Sequence, residues 1–245
     1  MGNEFFDPGA QRAAKVDALF AHIAKRYDLI NDLQSFGLHR WWKRRVVSLA
    51  CPAPGTRALD LCCGTGDIAF ALARRGAEVI GLDFNAQMLA VAEQRRAKYS
   101  GQASDNASVS VSFRQGDAQA IPFGDQTFDI VTVGYGLRNL TNWKAGLSEM
   151  ARVAKPGGRL LVLDFGKPDN AGWRALYFGY LKLVVPLFGL LFCGSSSAYA
   201  YILESLRHYP AQRGVAAEMT RLGLARVGTY CFLGGAMTIN CAEKP

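Results

Sequence analysis

The 245-residue chain has little of what builds a metal centre or a disulfide framework. It carries three histidines and six cysteines. No C-x-x-C pair is present, and no cysteine–histidine cluster has zinc-like spacing. Cys51, Cys62, Cys63, Cys193, Cys231 and Cys241 therefore read as reduced thiols packed as small hydrophobes in a cytosolic protein. The opening M-G-N-E-F-F-D-P lacks a basic start followed by an apolar run, so no signal peptide is expected. Internal repeats and low-complexity segments are absent. Acidic residues are the minority, 20 against 28 Lys and Arg, for a net charge of +8 at pH 7. That balance suits nucleic acid, an anionic membrane surface or plain solubility, and alone selects none of them.

What is present is a large apolar fraction, 50% of the residues, ordered into alternating segments. That is enough for one large α/β domain or two small ones. Residues 57–70, R-A-L-D-L-C-C-G-T-G-D-I-A-F, read as strand, glycine turn and helix, the arrangement that cradles a nucleotide. Gly64 and Gly66 permit positive φ and let a ligand lie against bare backbone. Further strands are predicted over 77–83, 109–113, 128–133 and 159–165, with helices over 86–99 and 141–153. Asn85 is placed to cap the helix that follows it, and Gly76 to stop the one before. A helix over 211–223 and strands over 225–232 and 235–242 close the chain. Strands alternating with helices imply a parallel sheet covered on both faces.

Three stretches fall outside that rhythm. Residues 1–14 read as a loose arm, and a helix from Lys15 gathers Val16, Leu19, Phe20, Ile23, Ala24 and Tyr27 on one face. Residues 27–45 mix aromatics, one histidine and four Lys and Arg. They suit a helix with snorkelling Lys and Arg, a cap over a ligand site, or an edge resting on a membrane. Residues 175–193 are apolar apart from Lys182 and approach the length of a membrane span. Lys182 and Pro186 interrupt the middle, and glycines break it further. An apolar insertion that closes over a greasy substrate or dips into a bilayer surface is expected instead, with a plain helix pair as the alternative.

The charges around the glycine turn bear on its ligand. Asp83 ends the second strand, 19 residues after Gly64, where an acid accepts both hydroxyls of a ribose. A nicotinamide dinucleotide and S-adenosylmethionine both satisfy that. A dinucleotide sets its pyrophosphate on the helix N-terminus, where an added carboxylate is unwelcome. Asp60 precedes the turn and Asp67 opens the helix. Two acids suit a phosphate-free ligand bearing an ammonium and a sulfonium, although either acid also serves as an ordinary turn or helix-start residue. Asp117, after the third strand, is placed for an adenine amino group.

The succession D-L-C-C-G-T-G-D, G-L-D, Q-G-D-A-Q-A-I-P-F, F-D-I-V-T-V and R-V-A-K-P-G-G-R-L-L-V-L-D-F resembles the class I S-adenosylmethionine-dependent methyltransferases. The flanks Y-D-L-I-N-D, F-G-L-H-R, G-L-R-N at 136–139 and E-S-L-R at 204–207 resemble the ubiquinone/menaquinone biosynthesis C-methyltransferases, over nearly the whole chain from about Lys15. The resemblance implies a Rossmann-like α/β fold with a mostly parallel seven-stranded sheet and helices on both faces. It implies one structural unit with an N-terminal helical cap over 1–50, a methyltransferase domain over 51–245 and an apolar helical insertion over about 167–208. S-adenosylmethionine is then the cofactor, held by Asp60, Gly64, Thr65, Gly66, Asp83, Asp117, Ala118 and Gly134. The partners implied are a polyprenylated quinol, a peripheral membrane contact at the inner face and a second copy of the chain, with no nucleic acid. The chain departs from the family at Cys62-Cys63, at Gly134 where a serine is common, and at Tyr135 where phenylalanine is frequent. It also departs at Gly194-Ser195-Ser196 and at Asn240-Cys241-Ala242 near the end.

Carbon methylation of a quinol needs a phenolate that pushes charge onto the neighbouring ring carbon. Arg138 is expected to stabilise that oxygen, through a bound water acting as proton acceptor, because a guanidinium is itself a poor base. His39 and Tyr27 are the alternatives for proton transfer. The rivals fit less well. An RNA methyltransferase suits the charge, but G-Y-G-L follows strand four instead of the Asp/Asn-Pro-Pro-Tyr used on exocyclic amines, and no RNA-binding module is appended. A sterol or tocopherol precursor is the runner-up acceptor.

Overall fold

The computed structural model describes residues 7, 9, 11–24, 27–100, 110–193 and 197–245. Side chains at 30, 100, 192, 193 and 197–199 are not considered. Of the loose arm expected over 1–14, residues 1–6, 8 and 10 lie outside the described residues, as do the polar loop over 101–108 and the departure at Gly194-Ser195-Ser196, and residues 12–14 already belong to a helix, Arg12–Ile23.

Seven strands form one sheet in the order β3-β2-β1-β4-β5-β7-β6. They are β1 (Arg57–Leu61), β2 (Glu78–Asp83), β3 (Val111–Gln115), β4 (Phe128–Gly134), β5 (Ala154–Phe165), β6 (Ala225–Phe232) and β7 (Met237–Glu243). The first five pair in parallel; β7 runs antiparallel between β5 and β6. The mostly parallel seven-stranded α/β sheet is therefore as expected. Strand order reverses between β1 and β4, and ligands of open α/β sheets bind at such a switch point.

Side chains alternate along the strands, so each strand feeds two cores. On β5, Leu160 and Val162 join one buried cluster while Leu161 and Leu163 join the other. Helices α4 (Asp67–Ala73) and α5 (Ala86–Ser100) flank β2, and α6 (Trp143–Val153) and α9 (Ala211–Arg221) pack on the β5 side. The predicted cap at Asn85 is present: its Oδ1 accepts from the Met88 N–H at 2.8 Å. The three N-terminal helices are α1 (Arg12–Ile23), α2 (Tyr27–Ser35) and α3 (Leu38–Ala50). The 27–45 stretch is thus two helices, parted at Gly37 with φ 75°. In α3, His39, Trp42 and Lys43 turn inward, while Arg40, Trp41 and Arg44 face solvent.

The apolar stretch departs from expectation. It is one continuous helix, α7 (Ala171–Cys193), that runs through Gly179 and Pro186. Pro186 withholds an N–H and interior glycine is unfavourable by roughly 1 kcal/mol. Burial of Tyr177, Leu181 and Val185, spaced four apart, offsets this at about 1.5–3 kcal/mol per side chain. Residues Ala171–Leu191 are long and apolar enough to cross a membrane by length and composition. The buried face is nevertheless tied to the domain. The Tyr177 hydroxyl donates to the Ala236 carbonyl at 3.1 Å and the Tyr180 hydroxyl to the Gln34 carbonyl at 2.7 Å. Helix α8 (Ser197–His208) packs alongside.

Asp60 is a keystone of the sheet. It is 1% exposed; Oδ1 accepts from the Thr132 hydroxyl on β4 at 2.7 Å and Oδ2 from the Ala69 N–H of α4 at 3.1 Å. Burial pushes its carboxyl up to about 7, against the pull of those two donors. Between about pH 4 and 7 the folded chain keeps a proton that the unfolded chain has lost. Stability from this group is therefore full below the unfolded value of 3.8 and declines as pH rises toward 7, by up to about 4 kcal/mol. Asp60→Asn keeps an acceptor and does not titrate. Its thermal midpoint, relative to the unaltered chain, should climb between pH 4 and 7 and then level; a constant difference across that range would contradict the assignment.

Candidate active site

The glycine turn sits where β1 ends. Gly64 and Gly66 take φ 55° and 86°, conformations that disfavour a Cβ. The Gly64 N–H donates to Asp83 Oδ2 at 2.7 Å, and Asp83 Oδ1 accepts from the Asn85 N–H at 2.9 Å. Burial raises the Asp83 carboxyl, and these N–H groups oppose the rise. Each oxygen keeps lone-pair capacity for a ligand hydroxyl. A cleft opens here, bordered by Gly64, Asp83, Asp117, Ala118 and Gly134 of the expected set. At Gly136 an added Cβ would lie 2.3 Å from Cys62 Cβ, so only a glycine fits against the Cys62 side chain there.

Three expected cofactor residues are not brought to the cleft. Asp60 is committed beneath α4. Thr65 is buried and donates through Oγ1 to Asp28 Oδ1 at 3.0 Å. Gly66 backs onto Phe113 and Phe70, where a Cβ would meet ring atoms at 2.8 and 2.9 Å. Asp67 is also no free acid at the helix start. Lys43 Nζ donates to its Oδ2 and Arg95 Nη2 to its Oδ1, each at 2.6 Å. Burial alone would raise this carboxyl; the two cations hold it well below the usual range. The repulsion of a pyrophosphate expected from Asp60 and Asp67 thus does not arise from them.

Other residues supply the same selectivity. Asp17 of α1 borders the cleft with Asp83 and Asp117, and no Lys or Arg is among the described residues that line it. Asp17 also latches α1 in place, accepting from Asn85 Nδ2 through its carbonyl at 3.0 Å and its Oδ1 at 2.7 Å. Its sequence position, in an amphipathic helix 68 residues before Asn85, carried no signal of this role. Three carboxylates without a facing cation suit a cationic, phosphate-free ligand.

A second, larger cavity of about 400 Å³ adjoins the first. Phe20, Tyr27 and Tyr135 line both, so the two meet there. The larger one is mostly apolar and contains the three expected catalytic residues, Tyr27, His39 and Arg138. Arg138 is buried; Nη1 donates to Asp164 Oδ1 and to the Tyr135 carbonyl, both at 2.6 Å. Its guanidinium lies over the Phe165 ring at 4.7 Å, and Nε has no hydrogen-bond partner. Burial works against its charge, yet Asp164 raises its pKa overall. His39 is held by Ser35 Oγ at 3.0 Å from Nδ1, with Asp32 Oδ1 at 3.6 Å. Burial, then Lys43, lowers it to about 4, so the imidazole is neutral near pH 7. Burial raises Tyr27, which therefore keeps its phenolic proton.

The residues bordering the smaller cleft are of kinds that could hold S-adenosylmethionine: carboxylate acceptors at Asp83 for ribose hydroxyls and at Asp117 for an adenine amino group, backbone at Gly64 and Gly134, and Asp17 for positive charge. An open, mostly parallel sheet with this cleft at its switch point is the architecture of the class I methyltransferases. Comparison with solved structures agrees on the fold. A SAM-dependent methyltransferase from Aquifex aeolicus superposes with TM-score 0.61 at 18% identity, covering 89% of this chain and 98% of that one. The [4+2]-cyclase SpnF reaches 0.63 at 17% identity over 94% and 95% of the two chains. Fold alone therefore does not fix the chemistry. The chain belongs to the ubiE/COQ5 methyltransferase family, whose model matches residues 9–244. It is 39% identical over 233 residues to a demethylmenaquinone methyltransferase of Bacillus licheniformis, covering 94% of this chain and 97% of the relative. It is 38% identical over 241 residues to a ubiquinone/menaquinone biosynthesis C-methyltransferase of Stutzerimonas stutzeri, covering 97% and 92%. The protein is an S-adenosylmethionine-dependent methyltransferase.

Asp83→Ala removes the acceptor of two N–H groups and of the ribose. Calorimetric titration with S-adenosylmethionine should show affinity lowered about tenfold or more, the size of a lost hydrogen bond to a charged group. Unchanged affinity would remove Asp83 from the site.

Proposed function

We propose that the chain transfers a methyl group to a ring carbon of a prenylated quinol, the demethylmenaquinol and/or benzoquinol step of menaquinone and ubiquinone formation. The observation that carries this reading is the adjoining pair of cavities. A small acid-lined cleft meets a large apolar one at Phe20, Tyr27 and Tyr135. The names borne by the relatives support the acceptor class. Bound S-adenosylmethionine supplies an electrophilic methyl on a sulfonium. The chain's own residues must hold the acceptor ring at the junction, exclude water and favour its phenolate.

The side chains divide those tasks. Arg138 projects positive charge into a low-dielectric cavity, where it lowers the pKa of a nearby phenol. The neutral His39 ring accepts a proton, directly or through water; its low pKa makes it a weak base, so Arg138 must first acidify the acceptor. Tyr27 remains a donor and orients the ring. The walls Leu19, Leu181, Val185 and Ile202 receive the apolar tail.

The mouth supports a membrane contact. Phe36, Leu38, Trp173, Leu176 and Leu233 border the cavity and are exposed. Leu183, Leu187 and Leu190 extend that surface along α7, with Arg40 and Arg44 exposed on α3. A helix with its outer face apolar and its inner face tied to the domain lies on a bilayer at the cytoplasmic face and takes its substrate from the lipid. Pairing with a second copy of the chain completes the reading and is read by sedimentation.

The direct test is methyl transfer from labelled S-adenosylmethionine to naphthoquinol and benzoquinol acceptors. Transfer to either supports the reading; transfer to neither, with label in RNA or a sterol-type acceptor, overturns it. Arg138→Ala is a poor probe because it strands buried Asp164, at about 3–5 kcal/mol of stability. Arg138→Lys keeps the charge and should lower turnover about tenfold or more with S-adenosylmethionine affinity nearly intact; equal loss of both would assign Arg138 to the cofactor. Flotation with anionic vesicles should show salt-sensitive binding that Leu183→Asp with Leu187→Asp weakens severalfold. Absence of binding by the unaltered chain would remove the membrane contact.

A further inference from the structure

Tyr135 has so far been described only as part of the wall between the two cavities. Its hydroxyl is buried and has no hydrogen-bond partner, in a residue 8% exposed. A buried phenol without a partner is unfavourable, and phenylalanine would fill the same space without that penalty. The backbone is strained as well. Tyr135 stands at φ 62°, the left-handed region that a bulky aromatic residue rarely adopts.

The fold enforces this placement. The Tyr135 N–H donates to the Leu163 carbonyl at 2.7 Å. Its carbonyl accepts from Arg138 Nη1 at 2.6 Å and from Asn139 Nδ2 at 3.0 Å. The ring packs on Phe165, with centroids 5.6 Å apart, and Lys43 Nζ lies 6.0 Å from its centroid. Strain and an unpaired polar atom at one residue, on the boundary of two cavities, mark a position kept for a ligand.

The neighbours say which ligand. Burial keeps the hydroxyl protonated. Phe165, on which its ring packs, and Arg138, which holds its carbonyl, line the larger, apolar cavity and not the cleft. The hydroxyl therefore serves the acceptor side.

We propose that Tyr135 donates its hydroxyl hydrogen to the acceptor-ring oxygen adjacent to the carbon that receives the methyl. This rests on the quinol reading above. The Tyr135 proton stays on its own oxygen; the hydrogen bond stabilises the ring oxygen's negative charge and turns the ring so that the carbon faces the donor. Arg138 acts on the same oxygen by charge while holding the Tyr135 carbonyl.

Tyr135→Phe removes one oxygen and keeps the ring. Thermal unfolding, calorimetry with S-adenosylmethionine and the pH dependence of methyl transfer are measured on both proteins. The variant should be at least as stable as the unaltered chain, since it loses an unpaired buried hydroxyl. Its affinity for S-adenosylmethionine should stay within about twofold, while kcat/KM for the quinol falls about tenfold or more, the worth of a hydrogen bond to a charged oxygen. The acidic limb of the kcat profile should move to higher pH, because the bound phenolate loses a donor. A kcat/KM within twofold, an equal loss of cofactor affinity, or a lowered thermal midpoint would each overturn the assignment. Activity of the unaltered chain on quinols tests the reading beneath it, so the two failures are distinct.

Discussion

The buried pair of Arg138 and Asp164 is the interaction on which the rest of this structure depends. Arg138 follows β4 and Asp164 stands near the end of β5, so their contact at 2.6 Å locks the two strand ends together. Both Asp164 oxygens are used: Oδ2 accepts from the Arg138 N–H at 3.2 Å and Oδ1 also from the Phe165 N–H at 2.9 Å. The Arg138 carbonyl accepts from Arg12 Nη2 at 2.5 Å, which ties α1 to the same point. The guanidinium holds the strained Tyr135 carbonyl with its remaining reach. A buried ion pair is weak support for stability in itself. Here it fixes geometry: it sets the boundary where the cofactor cleft meets the apolar cavity, and it leaves one cationic face toward the acceptor.

Two chemistries are kept apart by that boundary. On one side stand Asp17, Asp83 and Asp117 with no facing cation among the described lining residues. On the other stand aromatic and aliphatic walls that carry, among the described lining residues, one buried cation, one neutral imidazole and five phenols. Separation of this kind lets a sulfonium and a lipid-like ring approach without either passing through the other's environment. Helix α1 joins both sides, since Asp17 faces the cleft and Leu19 faces the apolar cavity.

Local pattern made the strand, glycine turn and helix legible, along with Asp83, Asp117, Gly64 and Gly134, because strand ends and turns follow from short-range rules. Tyr27, His39 and Arg138, singled out for charge stabilisation and proton transfer, line one cavity. Charge partnerships were not legible. Asp67 looked free because Lys43 and Arg95 lie 24 and 28 residues away. Asp60 looked like a ligand contact because burial beneath α4 has no local signature. In α7 the glycines and the proline suggested breaks, but tertiary packing of Tyr177, Leu181 and Val185 overrides propensity. The Tyr135 hydroxyl was visible as a departure, and only its burial without a partner gave it meaning.

The central claim is that methyl donor and acceptor ring meet at Phe20, Tyr27 and Tyr135. A crystal structure with S-adenosylhomocysteine and a short-tailed quinol tests it most directly. The account predicts the sulfur in the acid-lined cleft and the ring at that junction, its methyl-accepting carbon within about 4–5 Å of the sulfur, room for the missing methyl at near-attack distance. The tail should run along α7 toward Leu176. A quinol bound elsewhere, or a ring separated from the sulfur by protein, would contradict it.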